Sequence, residues 1–103
     1  MTSQDAQASN AMVAGTIPVC YRDARVLFDP GATHSFISSV FALKVGYQPS
    51  RMLYPLFVVT PLSEELEMNV FFSSCPVLVE GRELPADLVL LDVIGFDVIL
   101  GMN

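Results

Sequence analysis

The chain predicts an all-β, barrel-like domain with one short helix. Three features carry that expectation: short apolar runs with period-2 alternation, turn residues between almost every pair of runs, and a single segment whose apolar residues fall near helical spacing. The 103 residues make one domain, near the lower end of what folds comfortably alone, because small chains bury a smaller share of their surface. No internal repeat is evident.

The elements follow in order. Residues 1–11 are polar, rich in Ser, Gln, Ala and Asn, and without periodicity, so a disordered lead-in is expected there, with the folded domain spanning 12–103. In Thr16–Tyr21 the residues Ile17, Val19 and Tyr21 alternate with Pro18 and Cys20, a half-buried strand with Pro18 hinting at an edge. Arg22-Asp23-Ala24 reads as a turn. Arg25–Asp29 is a strand apolar on both faces at Val26, Leu27 and Phe28, hence buried between layers. Phe36–Val45 places Ile37, Val40, Phe41 and Leu43 near helical spacing, with Ser35 to cap the start and Gly46 to end it in a left-handed residue. Leu56–Thr60 and Leu66–Phe72 form a hairpin around Pro61-Leu62-Ser63-Glu64-Glu65. Pro76–Glu80 and Glu83–Leu91 form another around Gly81-Arg82, and Val98–Leu100 is a last short strand.

Composition narrows the partners. A net charge of -6 with only five scattered Lys and Arg argues against nucleic acid, since phosphate binding needs clustered cations. At 52% hydrophobic and 16% charged the chain suits a protein with a large buried interface or one that binds extended apolar peptides. No apolar run approaches the length of a membrane span and no signal peptide is recognisable, so no membrane association and a cytoplasmic location are expected. Cys20 and Cys75 lack metal-ligand spacing and read as reduced buried thiols. No metal or cofactor is expected. His34 stands alone as a structural histidine, the five methionines as core or groove filler, and Asp87, Asp92 and Asp97 as solvated strand ends.

The chemistry concentrates at Val26-Leu27-Phe28-Asp29-Pro30-Gly31-Ala32-Thr33. An apolar strand ends in a carboxylate, and a turn lifts that carboxylate out of the core. Gly31 is expected to permit backbone conformations and close approach closed to other residues, and Ala32 is small enough for two such loops to meet. Asp-Pro-Gly is also an ordinary β-turn signature. Peptide hydrolysis by carboxylates needs two of them within a few ångströms, one as base on a water and one, protonated, as donor to the scissile carbonyl. A chain with one such loop implies a twofold axis and a second copy.

Four ordered segments carry a family resemblance: Val26–Ser39, Val59–Ser63, Val79–Leu91 and Phe96–Met102. From about Thr16 to Asn103 the chain resembles the retropepsin-type aspartic protease domain of gypsy-type, especially plant, LTR retrotransposons. The resemblance implies a retropepsin-like closed barrel with one lobe per chain, and a homodimer joined through the active-site loops. It implies catalysis by paired Asp29 residues in a loop with Pro30, Gly31, Ala32 and Thr33, supported by Ile99, Leu100 and Gly101. It further implies a flap containing Val59, Thr60, Pro61, Leu62 and Ser63, with an extended polypeptide, as in a Gag-Pol-like polyprotein, as substrate in a groove lined by Val58, Leu62 and Ile99.

The chain departs from that family in three ways. Pro30 stands where the family has Ser or Thr, whose hydroxyl bonds across the dimer axis; proline offers neither hydroxyl nor N–H, so a weaker lock is expected, with Thr33 as a nearby hydroxyl. The flap lacks the glycines that let such hairpins open and close, and its acidic tip disfavours acidic substrates. The sequence stops at Asn103, where retropepsins continue into a helix and a dimer-forming strand, so the dimer is expected to rest on the Asp loops, the flaps and the N-terminal strand. These departures motivate a second function class, a catalytically weak or inactive module for dimerisation or peptide binding.

Overall fold

The computed structural model describes residues 12–59, 65–92 and 95–101. The lead-in expected over 1–11 and the hairpin tip at 60–64 lie outside the described residues. Seven strands and one helix follow one another: β1 (Val13–Val19), β2 (Arg22–Phe28), β3 (Ser35–Ile37), α1 (Ser39–Val45), β4 (Ser50–Val59), β5 (Glu65–Val79), β6 (Arg82–Leu90) and β7 (Val98–Leu100).

The sheet order β1-β2-β7-β3-β6-β5-β4, with a further contact of β1 to β5 at Val19↔Val77, closes six strands into a ring and leaves β4 outside it, paired to β5 alone. The Cys20 N–H donates to the Pro76 carbonyl at 2.8 Å and reinforces the closure. A ring removes the free edges that an open sheet would present. Inside it Val19, Val26, Ile37, Phe41, Cys75, Leu88 and Val98 are fully buried, each large apolar side chain contributing about 1.5–3 kcal/mol by leaving water.

Two hairpins turn on pairs of left-handed residues, Cys20-Tyr21 between Val19↔Arg22 and Glu80-Gly81 between Val79↔Arg82. Two consecutive positive φ values match the right-handed twist of the flanking strands. The first turn thus lies at Cys20-Tyr21, and Arg22-Asp23-Ala24, expected as the turn, opens β2 instead.

The helix also begins later than its apolar spacing suggests. Ser35–Ile37 is a strand, parallel to β6 and antiparallel to β7, and α1 starts at Ser39. Ser38 is the N-cap, its hydroxyl accepting the Phe41 N–H at 3.2 Å, so the expected cap at Ser35 is displaced by three residues. Phe36 and Ile37 satisfy helical spacing and strand burial alike, and the vacant position between β6 and β7 decides for the strand. Gly46 ends the helix at φ 69°, as its position predicts.

Leu66–Phe72 and Pro76–Glu80, expected as separate strands, form one fifteen-residue strand, Glu65–Val79, that bends between them. Ser74 takes φ 53° and its N–H donates to Asp87 Oδ1 at 2.9 Å, so β5 shifts register between Phe72 and Cys75 and continues along β6. Strand β4 is longer than expected as well, with Pro55 in the unpaired interval between Arg51 and Leu56, where a missing N–H costs the ladder nothing.

Candidate active site

Asp29 directly follows β2, whose parallel pairing with β7 runs Val26↔Val98, Leu27↔Ile99 and Phe28↔Leu100. The Asp29 N–H extends that ladder, donating to the Leu100 carbonyl at 2.9 Å. Its carboxylate is oriented from within the turn: Oδ1 accepts the Gly31 N–H at 2.9 Å, and the Asp29 carbonyl accepts the Ala32 N–H at 3.1 Å. Pro30 and Gly31 therefore occupy the two central positions of a β-turn. Gly31 does not use the left-handed region, and a Cβ built on it would lie 3.4 Å from Asp29 Oδ1, an ordinary contact. Within one protomer the turn does not require glycine there: the conformations closed to other residues that Gly31 was expected to permit are not used.

The obligatory glycine is Gly101. A Cβ at that position would sit 2.5 Å from the His34 carbonyl oxygen and 2.6 Å from that of Ala32. Backbone passes against backbone there, and only hydrogen fits. Strand β7 lies between β2 and β3, the two stems of the Asp29 loop: Ile99 pairs with both Leu27 and Phe36, and Val98 with both Val26 and Ile37. The Gly101 N–H donates to Ser35 Oγ at 3.0 Å, with Ser35 buried. Ser35 thus ties the end of β7 to the far stem of the loop, a role the sequence reading missed. Its signal was a lone hydroxyl beside an apolar pair, since a buried polar group needs a partner.

A cavity of about 380 Å³ lies between the loop and β4, lined by Asp29, Thr33 and His34 on one side and by Leu56, Phe57 and Val58 on the other. Val58 lines it as expected of a groove residue, whereas Ile99 does not; Leu62 is outside the described residues. Asp29 is the one carboxylate among the described lining residues. Behind the loop a second cavity of about 400 Å³ is framed by Pro30, Val79, Leu84 and Leu100. The Thr33 hydroxyl is 3.0 Å from His34 Nδ1, so the hydroxyl expected to compensate for Pro30 is engaged by its neighbour. Of the flap, Val59 pairs through its backbone with Glu65, and Thr60, Pro61, Leu62 and Ser63 are outside the described residues.

Asp87, Asp92 and Asp97, expected as solvated strand ends, each also accept a backbone N–H from a residue distant in sequence, while Asp87 and Asp92 stay exposed. Asp97 Oδ2 accepts the Arg25 N–H at 2.8 Å, and the Arg25 guanidinium lies over the Phe96 ring at 5.2 Å. Asp92 Oδ1 accepts both the N–H and the hydroxyl of Ser39, at 2.8 and 2.7 Å, and these bonds hold its carboxyl below the usual carboxylate range. Asp87 fixes Ser74, as above. Cys20 and Cys75 are buried free thiols, and burial pushes Cys75 up to about 12. Among the described residues no group of three or more His, Cys, Asp or Glu side chains is placed to hold a metal.

A loop that carries a carboxylate at a strand end, clamped by a short strand running into a glycine, agrees with the family comparison: the family described as Retroviral aspartyl protease matches residues 1–103. The chain belongs to the retroviral aspartyl protease family. Its fold is that of a retropepsin, and EIAV protease complexed with the inhibitor HBY-793 superposes on it with a TM-score of 0.69 at 15% identity, over 88% of this chain and 82% of that one. Comparison with curated proteins finds no match. The cavity holding Asp29 lies between the loop and β4 of this barrel.

Proposed function

We propose that this retropepsin domain is an aspartic endopeptidase, active as a homodimer in which Asp29 of each protomer meets its counterpart across a twofold axis. The observation that carries the reading is the Asp29 carboxylate itself, held by the Gly31 N–H at the end of a buried strand and lining a cavity with no second acid among its described residues. Two carboxylates brought together share one proton: the ionised member takes a proton from water as that water attacks the scissile carbonyl, and the protonated member donates to the carbonyl oxygen. An extended peptide fits between loop and hairpin as an added strand, with apolar side chains preferred against Leu56, Phe57 and Val58. Pro30, Gly31, Ala32 and Thr33 form the loop, Ile99, Leu100 and Gly101 position it, and residues 59–63 serve as the flap. The four sequence segments favour a gypsy-type plant retrotransposon origin, with a Gag-Pol-like polyprotein as substrate in a cytoplasmic particle.

The test is cleavage of a peptide library at mildly acidic pH. Activity per protomer rises with protein concentration and disappears in Asp29→Asn; cleavage that is the same with and without the substitution overturns the reading. One observation favours a second reading, a dimerisation or peptide-binding module without catalysis. Pro30 has no hydroxyl or N–H to lock the paired loops, and the Thr33 hydroxyl is taken by His34. A stable dimer in sedimentation that cleaves nothing at any concentration supports that second reading.

A further inference from the structure

We propose that the cavity beside the Asp29 cleft is a side-chain pocket that selects glutamate in the bound polypeptide, with Arg51 and His34 as its specificity-determining residues. The proposal rests on the reading of the cleft as a peptide groove. The cavity, of about 480 Å³, is lined by Arg51, Met52, Tyr54, Phe71, Val89 and His34 among others, and His34 also lines the space containing Asp29. The two cavities therefore meet at one side chain.

Strand register explains the juxtaposition. Phe71 and Val89 are directly opposed on β5 and β6 and form an apolar floor, with Val89 buried. Ser50↔Phe71 brings the start of β4 over that floor, and the parallel pair Ser35↔Leu88 sets His34 next to Asp87 one step earlier. A strand laid along β4 sends alternate side chains to the same side. One that fills the space at Leu56–Val58 and continues along β4 brings a same-side residue about two to four positions further on to Arg51–Tyr54.

The chemistry selects among side chains. The apolar floor calls for a methylene stem, and the rim calls for an acceptor. Arg51 brings a guanidinium whose paired N–H groups match a carboxylate. His34 Nδ1 is turned to the Thr33 hydroxyl at 3.0 Å, which leaves the other ring nitrogen as the polar group available to a ligand. Asp87, the acid on the same rim, has its Oδ1 bonded to the Ser74 N–H at 2.9 Å and keeps its charge, so lysine is the competing ligand that the test must include. Glu65 and Glu67, which would repel an acidic ligand, pair with Val59 and Phe57 at the opposite end of the hairpin. Glutamate spans the floor with one more methylene than aspartate.

His34 is the chain's single histidine, so its ring gives one resolved NMR signal. The Asp29→Asn protein is titrated with capped octapeptides of Ala and Val carrying one Glu, Gln or Lys. The Glu peptide is expected to bind about three- to five-fold more tightly than the Gln peptide, the range an exposed ion pair supports, with Lys weakest and with displacement of the His34 signal. In Arg51→Met the Glu advantage disappears, and in Arg51→Glu it passes to Lys. Equal binding of the three peptides, or none, overturns the pocket. Asp29-dependent cleavage without a Glu preference also overturns the pocket while upholding the protease. A Glu preference in binding, with no cleavage by the unsubstituted protein, upholds the pocket and overturns the protease.

Discussion

Gly101→Ala is the sharpest perturbation available to the geometry of the Asp29 loop. The new Cβ would stand 2.5 Å from the His34 carbonyl oxygen and 2.6 Å from that of Ala32, and reaching the 3.4 Å of ordinary contact requires the nearer separation to grow by 0.9 Å. Both obstacles are backbone, so no rotamer change relieves them. Overpacking of this kind costs about 1–3 kcal/mol, and a rigid obstacle puts the expected loss at the upper end, a fall in melting temperature of roughly 10–20 °C for a domain of this size. The strain falls on the segment that holds Asp29, because Ala32 is hydrogen-bonded to the Asp29 carbonyl at 3.1 Å. A displacement near 1 Å at a reacting group costs on the order of 100-fold in rate, so cleavage should fall further than stability does. Thermal unfolding and kcat/KM on one peptide substrate measure the two effects together. Gly31→Ala is the control: its Cβ would meet Asp29 Oδ1 at 3.4 Å and its φ is not left-handed, so the protomer should lose less than about 0.5 kcal/mol, the ordinary range for substitutions without a named strain. A Gly101→Ala protein as stable as the parent, or a Gly31→Ala protomer that unfolds first, refutes the reasoning.

Two other outcomes follow from the titratable groups. Asp92 is held below the usual carboxylate range by the Ser39 N–H and hydroxyl; a depressed folded value means its stabilisation is present above the unfolded value and is lost as pH falls through the folded one, so Asp92→Asn should lower stability most at neutral pH, converge with the parent in acid and so flatten the acid limb of a stability-versus-pH curve. Burial raises both Cys20 and Cys75, the latter to about 12, so neither is a thiolate at pH 8; iodoacetamide should leave the native protein unlabelled and modify both after denaturation, and rapid native labelling would contradict their burial.

Much of the site was legible from local sequence because its parts are local. A strand apolar on both faces followed by Asp-Pro-Gly identifies where a carboxylate leaves the core, and Phe96-Asp97-Val98-Ile99-Leu100-Gly101 marks the strand beside it. Non-local partners were not legible. Asp87, Asp92 and Asp97 resemble solvated strand ends until Ser74, Ser39 and Arg25, all distant in sequence, present their N–H groups. Ser35 reads as a helix cap until Gly101 arrives 66 residues later to donate to it.

Sequence alone determined the β-rich class, the strand that carries Asp29, the left-handed stop at Gly46 and the last strand, because each depends on side-chain periodicity or on the conformational limits of one or two residues. Tertiary structure alone decided that Phe36-Ile37 extend as a strand, that β1 meets β5 to close the ring, and that Gly101 is the glycine whose Cβ would strike the backbone of the loop within one protomer. In each of those cases the deciding quantity is the space left between segments far apart in the chain, which exists only once the barrel has formed.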